Sequence, residues 1–567
     1  MGTEYCWVLA QEPNPPLLKR LESELGVPPI IAQILLNRGI EDFEGSRRFL
    51  KPLLEDLNNP FLMADMERAA ERLSRAIDAN EKILIYGDYD VDGVTAVSYL
   101  LWILRGLGTR VSFYIPDRLT EGYGVSAQGI TEADQNDIDL MITVDCGITA
   151  IEEVRLAKKL GIDVIITDHH QPGDRLPEAV AVLDPKRYNC SYPFKELAGV
   201  GIAFKLTEAL FEGRGLDKDE LYRHLDLVAL GTAADVVPLI DENRVLVKHG
   251  IQRMAKTENP GLQALLENVG LKGKVLGTGH LLFIVAPRIN AGGRMGSAER
   301  AVRMLTTEDE AEAVQIADIL EIENRRRKGM DERTFAEASR MVEETCQPDE
   351  DRAIVLASEG WHPGVIGIVA SRIVERFYLP TILISIDKDI GKGSGRSIPE
   401  FDLYFALREC RDTLMAFGGH RYAAGLTIEE KKIDEFRESF QNVAKSMLTG
   451  ERLGPKLKIE GEITLDQIDE RLVRLLRYFA PFGPQNPRPT MVSYKLEVVG
   501  TPVVVGRDHL KFKVRQNGKV LSCIGFGMGE LIYRLTPGEA NLDMVYVIDE
   551  DEWQGEKRML LRVKDLR

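Results

Sequence analysis

Three apolar runs in this 567-residue chain break off in metal-ligand residue types. "LIYGDYDVDG" carries Asp88, Asp90 and Asp92, and "ITVDCG" carries Asp145. "IITDHH" carries Asp168, His169 and His170, 23 residues after Asp145. A fourth acid segment, "GTAADVVP", places Asp235 between apolar runs. Any one such Asp reads as a turn former or helix N-cap, because its carboxylate accepts from free backbone N–H groups. A lone His pair reads as polar surface or a satisfied core histidine. "DYDVDG" has the opening of a calcium loop, but the twelfth position from Asp88 is Tyr99 rather than the glutamate such a loop needs. Taken together the segments read differently. Carboxylates converging at one sheet edge repel one another, and burying them is costly without a cation. Aspartate oxygens mixed with imidazole suit Mn²⁺ or a similar divalent ion better than Ca²⁺, which takes oxygen ligands. Two such ions about 3.5–4 Å apart generate hydroxide and clamp a phosphoryl group.

Holding those residues together requires parallel strands. "MERAAERLSRAIDAN" has a helical period, and the strand "KILIY" follows it. Helix "GVTAVSYLLWILRGLG", strand "RVSFYIP", strand "DLMITV", helix "AIEEVRLAKKLG", strand "DVIIT" and the strand-like "EAVAVLDP" come next. Alternation of this kind predicts an α/β fold with a doubly wound parallel sheet, whose ligands bind at the carboxyl ends of the strands. Residues 296–345 are polar, rich in Ala, Glu and Arg, and free of proline, which predicts one or two long helices. A second, smaller α/β unit opens at "RAIVLAS" and contains "GVIGIVASRIVERF", "PTILISI" and the Gly-rich "GKGSGRS", read as a turn. From "GPKLKIEGEITL" onward, short alternating strands predict a small all-β barrel.

Composition narrows the class. An apolar fraction of 44% and a charged fraction of 28% are those of a soluble globular protein with two to four domains. No run of 18 apolar residues is present, and the first residues lack a basic segment followed by an apolar one, so neither a membrane span nor a signal peptide is expected. The six scattered cysteines include no CxxC pair, which argues against a disulfide framework and fits a reducing cytoplasm. The net charge of −17 argues against a sticky nucleic-acid coat, but residues 451–567 hold 19 Lys+Arg against 17 Asp+Glu. Local anion binding by that tail stays open.

"GDYDVDG", "VDCG", "TDHH" and "AADVVP" resemble, in order, the four motifs of the DHH phosphoesterases. "PDRLTEGYG", "APRINAGGRM", "GWHPGVIGIVASR", "GSGRSIPEFDL", "AFGGHRYAAG" and "LAPFGPQNPRP" resemble the RecJ-type branch, the bacterial single-strand-specific exonucleases, over about residues 15–567. The resemblance implies an N-terminal extension (1–55), a DHH catalytic domain (56–295), connecting helices (296–348), a DHH-associated substrate-binding domain (349–450) and an OB-fold (451–567). It makes Asp90, Asp92, His169 and Asp235 metal ligands and Asp145 the bridge between two metals, with Asp88 either a ligand or one step removed. His170 would meet the phosphate as oxyanion stabiliser or proton donor, and Asp168 would orient its neighbours or simply end the strand. The associated domain would cover the site with a groove. There Ser394 and Arg396, beside Ser397, would bind a 5′ phosphate with Arg118 opposite. Arg288 and His420 are further candidate phosphate contacts, with Gly418 and Gly419 allowing close approach of the strand. His362 reads as a turn former or a substrate contact.

In "RDHLKFKVRQNGK", alternation buries Phe512 and turns Lys511 and Lys513 outward as strand contacts. The implied activity is a Mn²⁺- or Mg²⁺-dependent exonuclease that degrades single-stranded DNA from its 5′ end to nucleoside monophosphates. By the same resemblance it acts in recombination and mismatch repair, beside single-strand-binding protein and a helicase. A small-substrate DHH phosphoesterase would not need the barrel, and a non-catalytic relative would have lost ligands that are all in place here.

Overall fold

The computed structural model describes residues 5–117, 121–347, 350–449, 454–553 and 556–567. The chain forms two compact units, one built on Trp7–Gly293, Ser297–Ile319 and Lys458–Arg567, the other mainly on Leu320–Leu457.

In the larger unit, helix α1 (Met66–Asp78) leads into strand β1 (Lys82–Gly87), helix α2 (Val91–Gly106) and strand β2 (Arg110–Tyr114). Helix α3 (Ala127–Gln135), β3 (Leu140–Val144), α4 (Ile151–Leu160), β4 (Asp163–Thr167) and β5 (Ala181–Leu183) follow. The five strands pair in the order β2-β1-β3-β4-β5, all parallel. Leu140–Val144 is buried along its whole length, as strands covered on both faces must be. Chain order reverses between β1 and β3, which opens a crevice beyond their carboxyl ends. Asp88 follows β1 and Asp145 follows β3, so the first acids fall at that crevice. Helices α5 (Gly199–Arg214), α6 (Leu225–Ala234) and α7 (Asp241–Met254) complete the packing around the sheet. Further on come α8 (Ala286–Met295), a short helix Glu299–Thr306 and the 36-residue helix α9 (Glu310–Thr345).

The smaller unit has a five-stranded mixed sheet. Its elements are β6 (Ile354–Ser358), α10 (Pro363–Phe377), β7 (Thr381–Asp387), β8 (Ile390–Arg396), β9 (Ala416–Gly419), β10 (Ala423–Glu429) and α11 (Ile433–Met447). The order is β9-β10-β8-β7-β6, and only β6 and β7 run parallel. Here the sequence reading needs correction: "GKGSGR" is not a turn but lies in strand β8, paired on both sides, and only Ser397 lies beyond it. Its glycines serve packing. A Cβ on Gly393 would stand 2.7 Å from Leu426, and one on Gly395 2.9 Å from Leu403.

The C-terminal strands belong to the larger unit. β11 (Thr490–Val505), β12 (His509–Gln516), β13 (Lys519–Phe526), β14 (Ala540–Trp553) and β15 (Glu556–Leu566) pair as β11-β12-β13-β15-β14, and β14 returns to β11 to close a five-stranded barrel of OB type. Its core holds Phe512, Val514 and Tyr546, and takes in Ile30, Ile31, Ile34 and Leu35 from the N-terminal helix Pro29–Asn37. No described helix is long and apolar enough to cross a membrane.

Candidate metal centre

Asp90 caps α2, accepting from Asp92 N–H at 2.9 Å and Gly93 N–H at 3.1 Å. The chain passes so close here that a Cβ on Gly93 would stand 2.5 Å from the Asp88 carbonyl oxygen. Asp92 is buried, and its carboxylate receives Gly199 N–H at 2.6 Å and Val200 N–H at 2.9 Å, the first amides of α5. Asp145 takes a left-handed backbone (φ 59°), a conformation that costs energy outside glycine and gathers at functional sites. Val236, directly after Asp235, does the same at φ 62°.

Two adjacent histidines diverge. His169 is buried; its Nε2 lies 3.1 Å from Asp145 Oδ1 and 3.6 Å from Asp235 Oδ2. Burial, and then the His170 charge, push its pKa down to about 3, so the ring is neutral and can donate a lone pair. His170 is half-exposed, and its Nδ1 meets Asp168 Oδ1 at 2.7 Å. Burial lowers its pKa, but the hydrogen bond and charge of Asp168 outweigh that and hold it above the usual imidazole value. Asp168 also accepts from the backbone N–H groups of Ile148, His169 and His170. Burial would raise its pKa; the bond to His170 and these amides keep it below the ordinary carboxylate range.

Donor atoms converge in three groups, each within 4.8 Å: Asp88, Asp90 and Asp145; Asp92, His169 and Asp235; and Asp145, His169 and His170. The first two share no residue, and Asp145 belongs to two of the three. Asp145 Oδ1, Asp235 Oδ2 and His169 Nε2 are buried without a hydrogen-bond partner among the described residues. Orphaned buried acceptors of this kind call for a cation. Their electrostatics agree. Burial, then the charge of Asp90, lifts the Asp92 pKa to about 7. Burial, then Asp92, Asp90 and other acids, raises Asp145 and Asp235 well above the carboxylate range. The all-oxygen group of Asp88, Asp90 and Asp145 fits Mn²⁺ or Mg²⁺, and the group that includes His169 fits Mn²⁺.

Three features of this site escape the sequence reading. Tyr123 places its hydroxyl 3.1 and 3.2 Å from the two ring nitrogens of His170 and 3.3 Å from the Asp145 carbonyl. Its segment, "PDRLTEGYG", stands out in the sequence for its arginine rather than its tyrosine. Gly199 is the second: a Cβ there would stand 2.8 Å from Asp145 Cβ. Asp184 is the third, fully buried after β5, with Oδ1 accepting from Lys186 N–H and burial lifting its pKa to about 7. A signal for Asp184 exists, since "VLDP" ends in an acid as the other strands do.

The other candidates are not part of these donor groups. Arg288 is buried in α8, with Nη1 donating to the Ile284 carbonyl at 2.5 Å. In the smaller unit, Arg396 Nη1 lies 3.2 Å from Ser394 Oγ, beside Gly367 of α10, where a Cβ would come within 3.1 Å of Arg396. Ser397 bonds the Phe401 carbonyl at 2.9 Å. His362 caps α10 by accepting from Gly364 N–H at 3.0 Å. His420 is exposed on the hairpin between β9 and β10, and Gly419 (φ 138°) is needed by that hairpin itself, because a Cβ would meet the Ala423 carbonyl oxygen at 2.5 Å. Lys511 and Lys513 are exposed on β12 with Phe512 buried between them. Arg118 lies outside the described residues.

Family models match along the chain: the DHH family N-terminal domain over residues 82–232, the DHHA1 domain over 350–446 and the RecJ OB domain over 459–565. The chain is 42% identical to the single-stranded-DNA-specific exonuclease RecJ of Bacillus subtilis, covering all of this chain and 71% of that protein. It is 33% identical to the Escherichia coli enzyme of the same name, covering 95% and 96%. The crystal structure of RecJ from Thermus thermophilus in complex with Mn²⁺ superposes with a TM-score of 0.85 at 31% identity, covering 99% of this chain and 79% of that one. Its Mg²⁺ complex gives 0.79 at 30% identity, covering 99% and 78%.

Proposed function

The chain belongs to the RecJ family of single-stranded-DNA-specific exonucleases, and from that premise we propose how its residues divide the work. The protein is a metal-dependent hydrolase of single-stranded DNA. The observation that carries the residue assignment is the pair of separate donor groups at the sheet's carboxyl ends, with buried acceptors that lack a hydrogen-bond partner among the described residues. Asp88, Asp90 and Asp145 would hold one divalent ion, and Asp92, His169 and Asp235 the other. When bound, Mn²⁺ or Mg²⁺ supplies Lewis-acid charge to the phosphodiester and an activated water.

The protein's own groups do the rest. Asp168 fixes the His170 ring through Nδ1 and favours its charged form, which suits the ring to meet the phosphate and protonate the departing 3′ oxygen. Ser394 and Arg396, beside the first turns of α10, offer hydroxyl and guanidinium donors suited to a terminal phosphate. That chemistry supports degradation from a 5′ end, with release of nucleoside 5′-monophosphates. Arg118 is assigned to that terminal-phosphate pocket, opposite Ser394 and Arg396, Arg288 and His420 to the strand's backbone, and Lys511 and Lys513 to the strand as it crosses the barrel. A cytoplasmic setting accords with six unpaired cysteines, and cooperation with single-strand-binding protein and a helicase in recombination and repair completes the reading. Oligonucleotides labelled at either end test it. With Mn²⁺, mononucleotides should appear first from the 5′ label of the single strand, with the duplex spared; release from the 3′ label would sink the assigned polarity.

A further inference from the structure

Residues 121–126, which lead into α3, are gathered on one carboxylate. Through Oε2, Glu121 accepts from the Tyr114 hydroxyl at 2.8 Å and the Ser126 hydroxyl at 2.6 Å; through Oε1 it accepts from Asp117 N–H at 2.9 Å. Tyr114 ends β2, and Ser126 caps α3 by accepting from Gly129 N–H at 3.0 Å. Tyr86 of β1 reinforces both. Its hydroxyl accepts from Ser126 N–H at 3.0 Å, and its ring stacks on Tyr114 with centroids 5.1 Å apart. Glu121 therefore ties residues 121–126 to β2, while Tyr86 holds the same segment from β1, and both strands belong to the sheet that carries the metal site.

What the tied loop delivers is Tyr123. Gly122 and Gly124 take φ values of 87° and 86°, so the chain turns sharply on both sides of it. The Tyr123 residue is 54% exposed, yet its hydroxyl sits on His170 and on the Asp145 carbonyl. The bond to Asp168 fixes His170 at one nitrogen only. A second contact is needed to stop the ring pivoting about that bond, and an exposed tyrosine supplies it only if its backbone is held.

We propose that Glu121 is a positioning residue: by clasping the loop it holds the Tyr123 hydroxyl against His170 and so aims the imidazole at the scissile phosphate. The proposal rests on the assignment of His170 given above.

The test is a double-mutant cycle of Glu121→Ala and Tyr123→Phe, assayed with Mn²⁺ on a 5′-phosphorylated single strand and on the dinucleotide pdTpdT. Each single variant should lower kcat about 10- to 100-fold, the scale of a misplaced catalytic group, with KM within about twofold of wild type. The double variant should be no worse than the poorer single one, because both changes release the same ring. The two kcat–pH profiles should shift together. Additive losses would overturn the clasp, as would a Glu121→Ala protein with a lower melting temperature but wild-type kcat and pH profile. If that variant does not fold, Glu121→Gln and Tyr114→Phe run the same cycle. A wild type that cleaves the dinucleotide but not the strand refutes the DNA reading while the clasp is still decided on the dinucleotide. Inactivity on both overturns both.

Discussion

His169 and His170 share a peptide bond but not an environment. One is buried, held well below the usual imidazole pKa, and faces two acids; the other is half-exposed, with its pKa raised by Asp168. His169→Ala should therefore lose Mn²⁺ affinity by at least the roughly 10- to 100-fold that changes around metal ligands cost. His170→Ala should keep Mn²⁺ and lose about 10²–10⁴-fold in kcat, the range of a general acid. Calorimetric titration with Mn²⁺ beside turnover separates the two, and equal loss of metal would refute the division. The acids give a pH signature. Asp92, Asp145 and Asp235 have raised folded-state pKa values, so in the metal-free protein the stability each contributes is intact below the ordinary carboxylate pKa and is lost as pH rises through its folded value, about 7 for Asp92. A cation relieves that cost only where the acids are ionised. The rise in melting temperature on adding Mn²⁺ should accordingly be larger at pH 8 than at pH 5; a shift independent of pH would contradict the charge cluster. The ligand types were legible in the sequence because each follows an apolar run. Tyr123 was not, since an exposed tyrosine in a Gly-rich loop carries no periodic signal.

At the scale of elements, α5 holds the site together from behind. Its first amides neutralise Asp92, and its first residue must be glycine because Asp145 fills the space a side chain would need. Gly199→Ala forces the Asp145 backbone and carboxylate to move. The fold should survive at a cost of about 1–3 kcal/mol, typical of overpacking, while Mn²⁺ binding weakens. Thermal denaturation with and without Mn²⁺ measures both, and unchanged metal affinity would count against the close approach. The parallel strands were readable from buried β-branched runs separated by helical periods. Strand β8 was not: its alternating glycines mimic a turn in composition, and only the facing Leu426 and Leu403 reveal that they leave room for packing.

For the molecule as a whole, the barrel is part of the larger unit rather than an appendage. Arg244 of α7 is buried and donates to the carbonyls of Phe49, Tyr478, Phe479, Ala480 and Pro481, joining the N-terminal helices, the catalytic helices and the chain entering the barrel. No spacing in the sequence marks that arginine, because its partners are carbonyls, which every residue carries. The outward lysines of β12 were legible, since alternation places them opposite Phe512. If Lys511 and Lys513 each contact the backbone of the strand, Lys511→Ala/Lys513→Ala should flatten the slope of log affinity against log salt by about 1.4, at roughly 0.7 per contact on single strands. An unchanged slope would remove the barrel face from the binding path. The central claim, that the acids beyond the strand ends are the metal site of the nuclease, is tested most directly by Asp145→Asn. Asparagine accepts the left-handed backbone and removes the charge. The account predicts a folded protein with a raised metal-free melting temperature, lost Mn²⁺ binding and no mononucleotide release from single-stranded DNA. A variant that binds Mn²⁺ and degrades the strand like the wild type would contradict it.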